Sequence, residues 1–119
     1  MPENNRRKTP RVNYLCHVTM WATQGAYDTV LTQTSDIGVG GFRAHLNQSI
    51  SKGIKIDIQI DFTDRMTPFR CKGVVVHCQQ ESNKDYNVGV RFESLTDLQR
   101  HFLERKISEL INLENKGNP

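Results

Sequence analysis

Residues 54–62, Ile-Lys-Ile-Asp-Ile-Gln-Ile-Asp-Phe, set five apolar side chains at alternate positions with four polar ones between them. Successive side chains of a strand point to opposite faces, so this segment carries one face for a core and one for water. It is the cleanest periodic signal in the chain. A strand this apolar leaves a hazardous edge unless other strands pair with it, and closing the sheet on itself removes the edge.

The rest of the chain supplies partners. Val12, Tyr14, Cys16, Val18 and Met20 share one face of a half-buried strand. Gln24-Gly25 reads as a turn, and Tyr27 to Thr34 returns as a second strand rich in Thr and Val. A glycine-rich turn follows, then a short strand from Phe42 to Leu46 and a loop over Asn47 to Gly53. Thr63 to Met66 turns the chain again. Phe69 to Cys78 and Tyr86 to Phe92 are two further strands joined by a hairpin loop at Ser82–Asp85. Gly73 in the first of them marks a bulge or a close approach of backbone, and Gly89 lies inside the second.

After Phe92 the period lengthens. Leu95, Leu98, Phe102, Leu103, Ile107, Leu110 and Ile111 fall at three- and four-residue spacings, as on one side of a helix. Thr96 and Gln99 fit a capping box, which predicts a helix from Asp97 to about Leu113. Its apolar stripe has to cover an open mouth or side of the sheet, or pair with a second protomer. The expectation is an all-β fold with a C-terminal helix: a six-stranded antiparallel β-barrel capped by one α-helix. In domain terms, residues 1–11 form a flexible basic arm, residues 12–113 a single barrel domain, and residues 114–119 a tail.

Composition narrows the function. A chain of 119 residues has room for one modest core. No apolar run approaches the roughly 20 residues a membrane helix needs, and the polar N-terminus lacks a signal-peptide segment, so a cytoplasmic protein without membrane insertion is expected. Cys16, Cys71 and Cys78 form no CxxC pair and read as small buried hydrophobes. His17, His45, His77 and His101 show no ligand spacing, so neither metal nor cofactor is expected. Nucleophile–base pairs and phosphate loops are missing too, and catalysis is not expected.

Charge is informative by its placement. Arg6, Arg7, Lys8 and Arg11 stand against Glu3 alone, so the first 11 residues carry the whole net charge of +3. A neutral domain with a basic arm suits a local anion site and argues against a broad nucleic-acid face. Asp36-Ile37-Gly38-Val39-Gly40-Gly41-Phe42 is the complementary element. Three glycines in four positions allow close backbone approach, and Asp36 can accept from a ring N–H or amine. Guanidinium forks pair bidentately with phosphate or a guanine edge. Together these suit a guanine nucleotide. Arg70 and Arg91 read as exposed strand residues, whereas Trp21 and Tyr27 either close one end of the core or form a stacking platform.

In this order the motifs resemble the PilZ family of cyclic di-GMP receptors, from about Arg6 to Ile111. The family's RxxxR motif is matched by Arg7-Lys8-Thr9-Pro10-Arg11, and its [D/N]xSxxG motif by Asp36-Ile37-Gly38-Val39-Gly40-Gly41. Gly73-Val74-Val75-Val76 and Asn87-Val88-Gly89-Val90-Arg91-Phe92 resemble its late strands. The motif serine is Gly38 here, a lost hydroxyl worth roughly 0.5–1.5 kcal/mol. The resemblance implies a non-catalytic sensor in which Arg7 and Arg11 clamp phosphates and guanine and Asp36 accepts from the guanine edge. Gly38, Gly40 and Gly41 would form the turn, Gly41 letting backbone approach the ligand. Arg6, just before the first motif arginine, leans toward two stacked nucleotides. The arm would order on the nucleotide and alter a surface facing a protein partner, in a monomer or homodimer. The alternative is a PilZ-like interaction adaptor that does not bind the nucleotide.

Overall fold

The computed structural model describes residues 11–22, 29–62 and 67–116. They form β1 (Arg11–Val12), β2 (His17–Ala22), β3 (Val30–Gly38), β4 (Gly41–Leu46), β5 (Lys55–Asp61), β6 (Phe69–Ser82), β7 (Asp85–Glu93) and α1 (Asp97–Lys116). Neighbours run β3-β2-β5-β6-β7-β4, and β4 pairs back onto β3. Six antiparallel strands thus close a barrel, as the alternating patterns require, and β1 is one additional short strand on β3. The turns expected at Gln24-Gly25 and Thr63–Met66, together with Tyr27, lie outside the described residues.

The expected strand from Val12 to Met20 is interrupted, although its inward face holds. Val12, Cys16, Val18 and Met20 are buried, whereas residues 13–16 leave the strand conformation and separate β1 from β2. The Thr34 side chain stitches the gap. Its Oγ1 accepts from the Cys16 N–H at 2.9 Å and donates to the Tyr14 carbonyl at 2.5 Å, while the Thr34 N–H donates to the Cys16 carbonyl. Thr34 is fully buried, so this hydroxyl replaces ladder bonds that water cannot reach.

The strand of alternating isoleucines behaves as its pattern demands. Ile56, Ile58 and Ile60 are buried, while Asp57 and Gln59 point outward toward Lys72 and Arg70 of β6. Gly73 is a close-approach point: a Cβ there would stand 2.6 Å from Ile58 Cδ1 and 2.9 Å from the Arg91 carbonyl oxygen. The irregularities of β6 against β7 lie elsewhere, between Val75 and His77 and between Gln80 and Ser82. None of the three cysteines is disulfide-bonded: Cys16 is buried and Cys71 and Cys78 are half-buried. Burial pushes the Cys71 thiol up to about 12, which keeps it neutral at ordinary pH.

Helix α1 begins where the capping box places it. The Thr96 hydroxyl accepts from the Gln99 N–H at 3.1 Å, and Gln99 Oε1 accepts from the Thr96 N–H at 3.0 Å. Gln99 also ties the helix to β6 by donating to the Arg70 carbonyl at 2.7 Å. The helix runs to Lys116, beyond the expected end near Leu113. Leu103, Ile107 and Leu110 are its buried face. Leu98, expected on the same stripe, is 84% exposed, because five residues of helix turn it about 140° from Leu103. Lys106 takes a place on the buried side instead, its ammonium 5.7 Å from the centre of the Phe62 ring and 3.4 Å from Glu109.

The helix closes one mouth of the barrel, packing on β1 and β3. Aromatic rings link it to the strands, Phe102 being its own: Phe42 to Phe92 at 6.0 Å, Phe92 to Phe69 at 6.3 Å, Phe69 to Phe102 at 5.6 Å, and Phe102 to Phe62 at 5.7 Å. Offset and edge contacts of this kind add to the burial of large rings. They connect the end of the glycine turn to the helix. Among the described residues, no helix is long and apolar enough to cross a membrane, and no group of His, Cys, Asp or Glu is arranged to hold a metal ion.

Candidate functional site

Asp36 owes its outward direction to an irregularity in β3. Thr32 and Thr34 share the inward face, and strict alternation would send Asp36 inward as well. Between Thr34 and Asp36 the pairing with β4 slips, from Thr34 opposite Ala44 to Asp36 opposite Arg43. The extra residue, Ser35, resets the alternation. Asp36 then faces out and Ile37 faces in, where it is fully buried. Ser35 holds the bulge by donating from its hydroxyl to the Arg43 carbonyl at 3.3 Å.

β1 brings the last motif arginine to that carboxylate. Val12 pairs with Ile37 and is buried with it, which leaves Arg11, in register with Gly38, on the outer face. The Arg11 Nη1–H donates to Asp36 Oδ1 at 2.5 Å, with the two side chains 25% and 23% exposed. Arg11, assigned to the flexible arm by sequence, is therefore held in a strand. Arg6 and Arg7 lie outside the described residues.

The glycines of the turn differ in what they permit. Gly38 ends β3 and is buried beside Arg11. Gly40 is exposed, and its carbonyl accepts from the Phe92 N–H at 2.9 Å. A Cβ on Gly40 would meet nothing within 4 Å, whereas one on Gly41 would lie 1.9 Å from the Val90 carbonyl oxygen. Packing of β4 against β7 thus demands glycine at 41, whether or not a ligand approaches it.

Two rows of residues cross the outer face next to this turn. Asp36, Arg43, Gly89 and His77 are successive register partners on β3, β4, β7 and β6. Beside them, Arg11 faces Gly38 on one flank, and Gly41 faces Arg91 on the other. The surface between the charged groups is floored by glycine at 38, 41 and 89. Strands lie about 4.8 Å apart, so this bare floor is wide enough for a flat ring to lie on backbone. A platform of this kind is not a cavity. A hollow of about 400 Å³ beside Leu15, Gln33, Ser35 and His45 flanks the bulge, and neither Arg11 nor Asp36 lines it.

Charge around the platform is mostly paired. Arg91 stands 3.8 Å from Glu93, which also bonds Lys55 at 2.7 Å. The Lys55 ammonium, with a smaller contribution from Arg91, holds the Glu93 carboxyl below its usual range. Arg70 lies away from the turn and bonds Gln59 at 3.0 Å. Trp21 projects from the far end of β2, opposite Asp57, and not over the turn. Arg43, which the motif reading passes over, is signalled by its place between Phe42 and Ala44, both buried, in an alternating strand.

The closed six-stranded barrel and its terminal helix define a class of fold. The PilZ domain model matches residues 5–109, and the chain belongs to the PilZ domain family. Among solved structures, YcgR from Escherichia coli in complex with c-di-GMP superposes with a TM-score of 0.77 at 17% identity, covering 94% of this chain and 49% of that one. The PilZ domain of YcgR with c-di-GMP gives 0.74 at 15% identity, with 94% and 96% covered. Inhibitor of motility (MotI/DgrA) from Bacillus subtilis gives 0.74 at 13% identity, with 96% and 54% covered. The chain thus spans about half the length of full YcgR and of MotI. No curated protein matches it.

Proposed function

We propose that this chain is a non-catalytic cyclic di-GMP sensor domain whose basic N-terminal arm orders on the nucleotide and alters a surface facing a protein partner. The observation that carries the reading is the meeting of Arg11 and Asp36 over a glycine-floored platform, in a PilZ chain. Arg6, Arg7 and Arg11 would hold phosphates and guanine faces. Asp36 would accept from the guanine N1–H and amine, with Gly38, Gly40 and Gly41 forming the turn.

Binding exchanges one pairing for several. A partly exposed ion pair such as Arg11–Asp36 contributes about 0–1 kcal/mol, so releasing Arg11 costs little. Each new hydrogen bond to a charged group returns roughly 1.5–3 kcal/mol. Ordering the arm opposes this at about 1–2 kcal/mol per residue fixed, which is why several arginines are needed. Val12 lies between the site and α1, and the aromatic rings extend from Phe42 to Phe102, so an ordered arm bears directly on the helix. This is the physical support for an output surface on or near α1. A cytoplasmic location accords with an arginine-rich arm reading a soluble dinucleotide.

Gly38 favours a second reading, an adaptor that docks to protein without nucleotide, because the motif hydroxyl is missing. Isothermal titration with cyclic di-GMP, with GMP as control, separates the two. Micromolar or tighter binding supports the sensor, and its stoichiometry tests whether Arg6 recruits a second nucleotide. Absence of heat from folded protein at high concentration leaves the adaptor.

A further inference from the structure

We propose that Arg43 is a further guanidinium of the nucleotide site, on the opposite side of Asp36 from Arg11; the inference rests on the cyclic di-GMP reading and adds a residue to it. Its placement follows from register. Phe42 and Ala44 are buried, so Arg43 must point out, and it stands directly opposite Asp36 on β3. On its other side β7 presents Gly89, which has no side chain to compete for the space. The guanidinium therefore edges the same bare floor that Arg11 borders from β1.

Its lack of a partner carries the inference. Asp36, the nearest carboxylate by register, is turned toward Arg11. Arg91 and Lys55 use Glu93, and Lys72 uses Asp57 at 2.9 Å. Among the described residues, the Arg43 side chain alone of the cations on this stretch of sheet has neither an ion pair nor a hydrogen bond. It is also half-buried. A partly desolvated cation without a counter-charge is unfavourable unless an anion or an acceptor edge arrives. Arg11, Asp36 and Arg43 together carry a net single positive charge, which an incoming phosphate neutralises. Planar and rigid, the guanidinium can fork onto phosphate oxygens or the O6/N7 edge of guanine, or lie flat against the ring.

The test is titration of cyclic di-GMP into the full chain and three variants at two salt concentrations, with folding checked by circular dichroism and thermal melting. Arg43→Ala should weaken binding roughly ten- to hundredfold. It should also reduce the salt dependence, because one charged contact is gone. Arg43→Gln keeps most of the side-chain stem, and it should lose comparable affinity even if the alanine variant proves unstable. Arg70→Ala removes the same charge away from the turn and should stay within about threefold of the parent, as expected of screened surface charge. Affinity of both Arg43 variants within threefold of a parent that binds would overturn the Arg43 assignment and leave the sensor reading standing. A folded parent that binds no cyclic di-GMP would overturn both.

Discussion

Arg11 and Asp36 form a partly exposed ion pair outside the core, so substitution there separates recognition from folding. Arg11→Ala is expected to lower cyclic di-GMP affinity at least tenfold by titration calorimetry. The ion pair itself is worth at most about 1 kcal/mol, so the melting temperature should fall by no more than a few degrees. Unchanged affinity would remove Arg11 from the site. The two adjacent glycines give a sharper contrast. Gly41→Ala drives a methyl into the Val90 carbonyl and should destabilise the barrel by about 1–3 kcal/mol or more in urea unfolding. Gly40→Ala meets open space and should stay within about 0.5 kcal/mol of the parent. Equal stabilities would mean that β4 and β7 can separate at little cost.

At the scale of elements, the break between β1 and β2 is the feature most open to test. Thr34→Val keeps volume but removes the hydroxyl that accepts from the Cys16 N–H and donates to the Tyr14 carbonyl. A loss of about 1–3 kcal/mol is expected from chemical denaturation. If the variant is as stable as the parent, residues 13–16 can restore those bonds by themselves. This junction also shows where sequence reading reaches its limit. Inward-facing positions were legible wherever alternation was strict, as in β5, and the Thr96–Gln99 cap was legible from two residues. The interruption at 13–16 was not, because it depends on a hydroxyl eighteen residues away. The bulge that turns Asp36 outward left only a faint trace: buried Thr34 and Ile37 lie three apart, a spacing that breaks the two-residue alternation of a strand. Leu98 misled for the opposite reason, since an apolar residue at i, i+4 from Phe102 fits the helical period yet lies well off the face toward the core. For the site, the resemblance named Arg11, Asp36 and the glycines; Arg43 needed the register of two neighbouring strands.

For the whole molecule, the sequence places its net positive charge in the first 11 residues, so nucleotide recognition through that arm would be electrostatic and local. Cyclic di-GMP affinity should therefore fall steadily as salt rises from about 0.05 to 0.5 M, while the urea midpoint of the free protein changes little. An affinity independent of salt would point to a contact dominated by apolar stacking. The placement of Trp21 has a practical consequence for such work. It is the chain's single tryptophan, and it lies on β2 opposite Asp57, roughly 13 Å along the strand from His17, which marks the end nearer the turn. Its emission reports the far rim of the barrel, and a nucleotide settling on the glycine platform should leave intrinsic fluorescence nearly unchanged. A ligand-dependent spectral shift from Trp21 would instead register movement carried the length of the barrel, making this distant indole a detector of long-range response and not of occupancy.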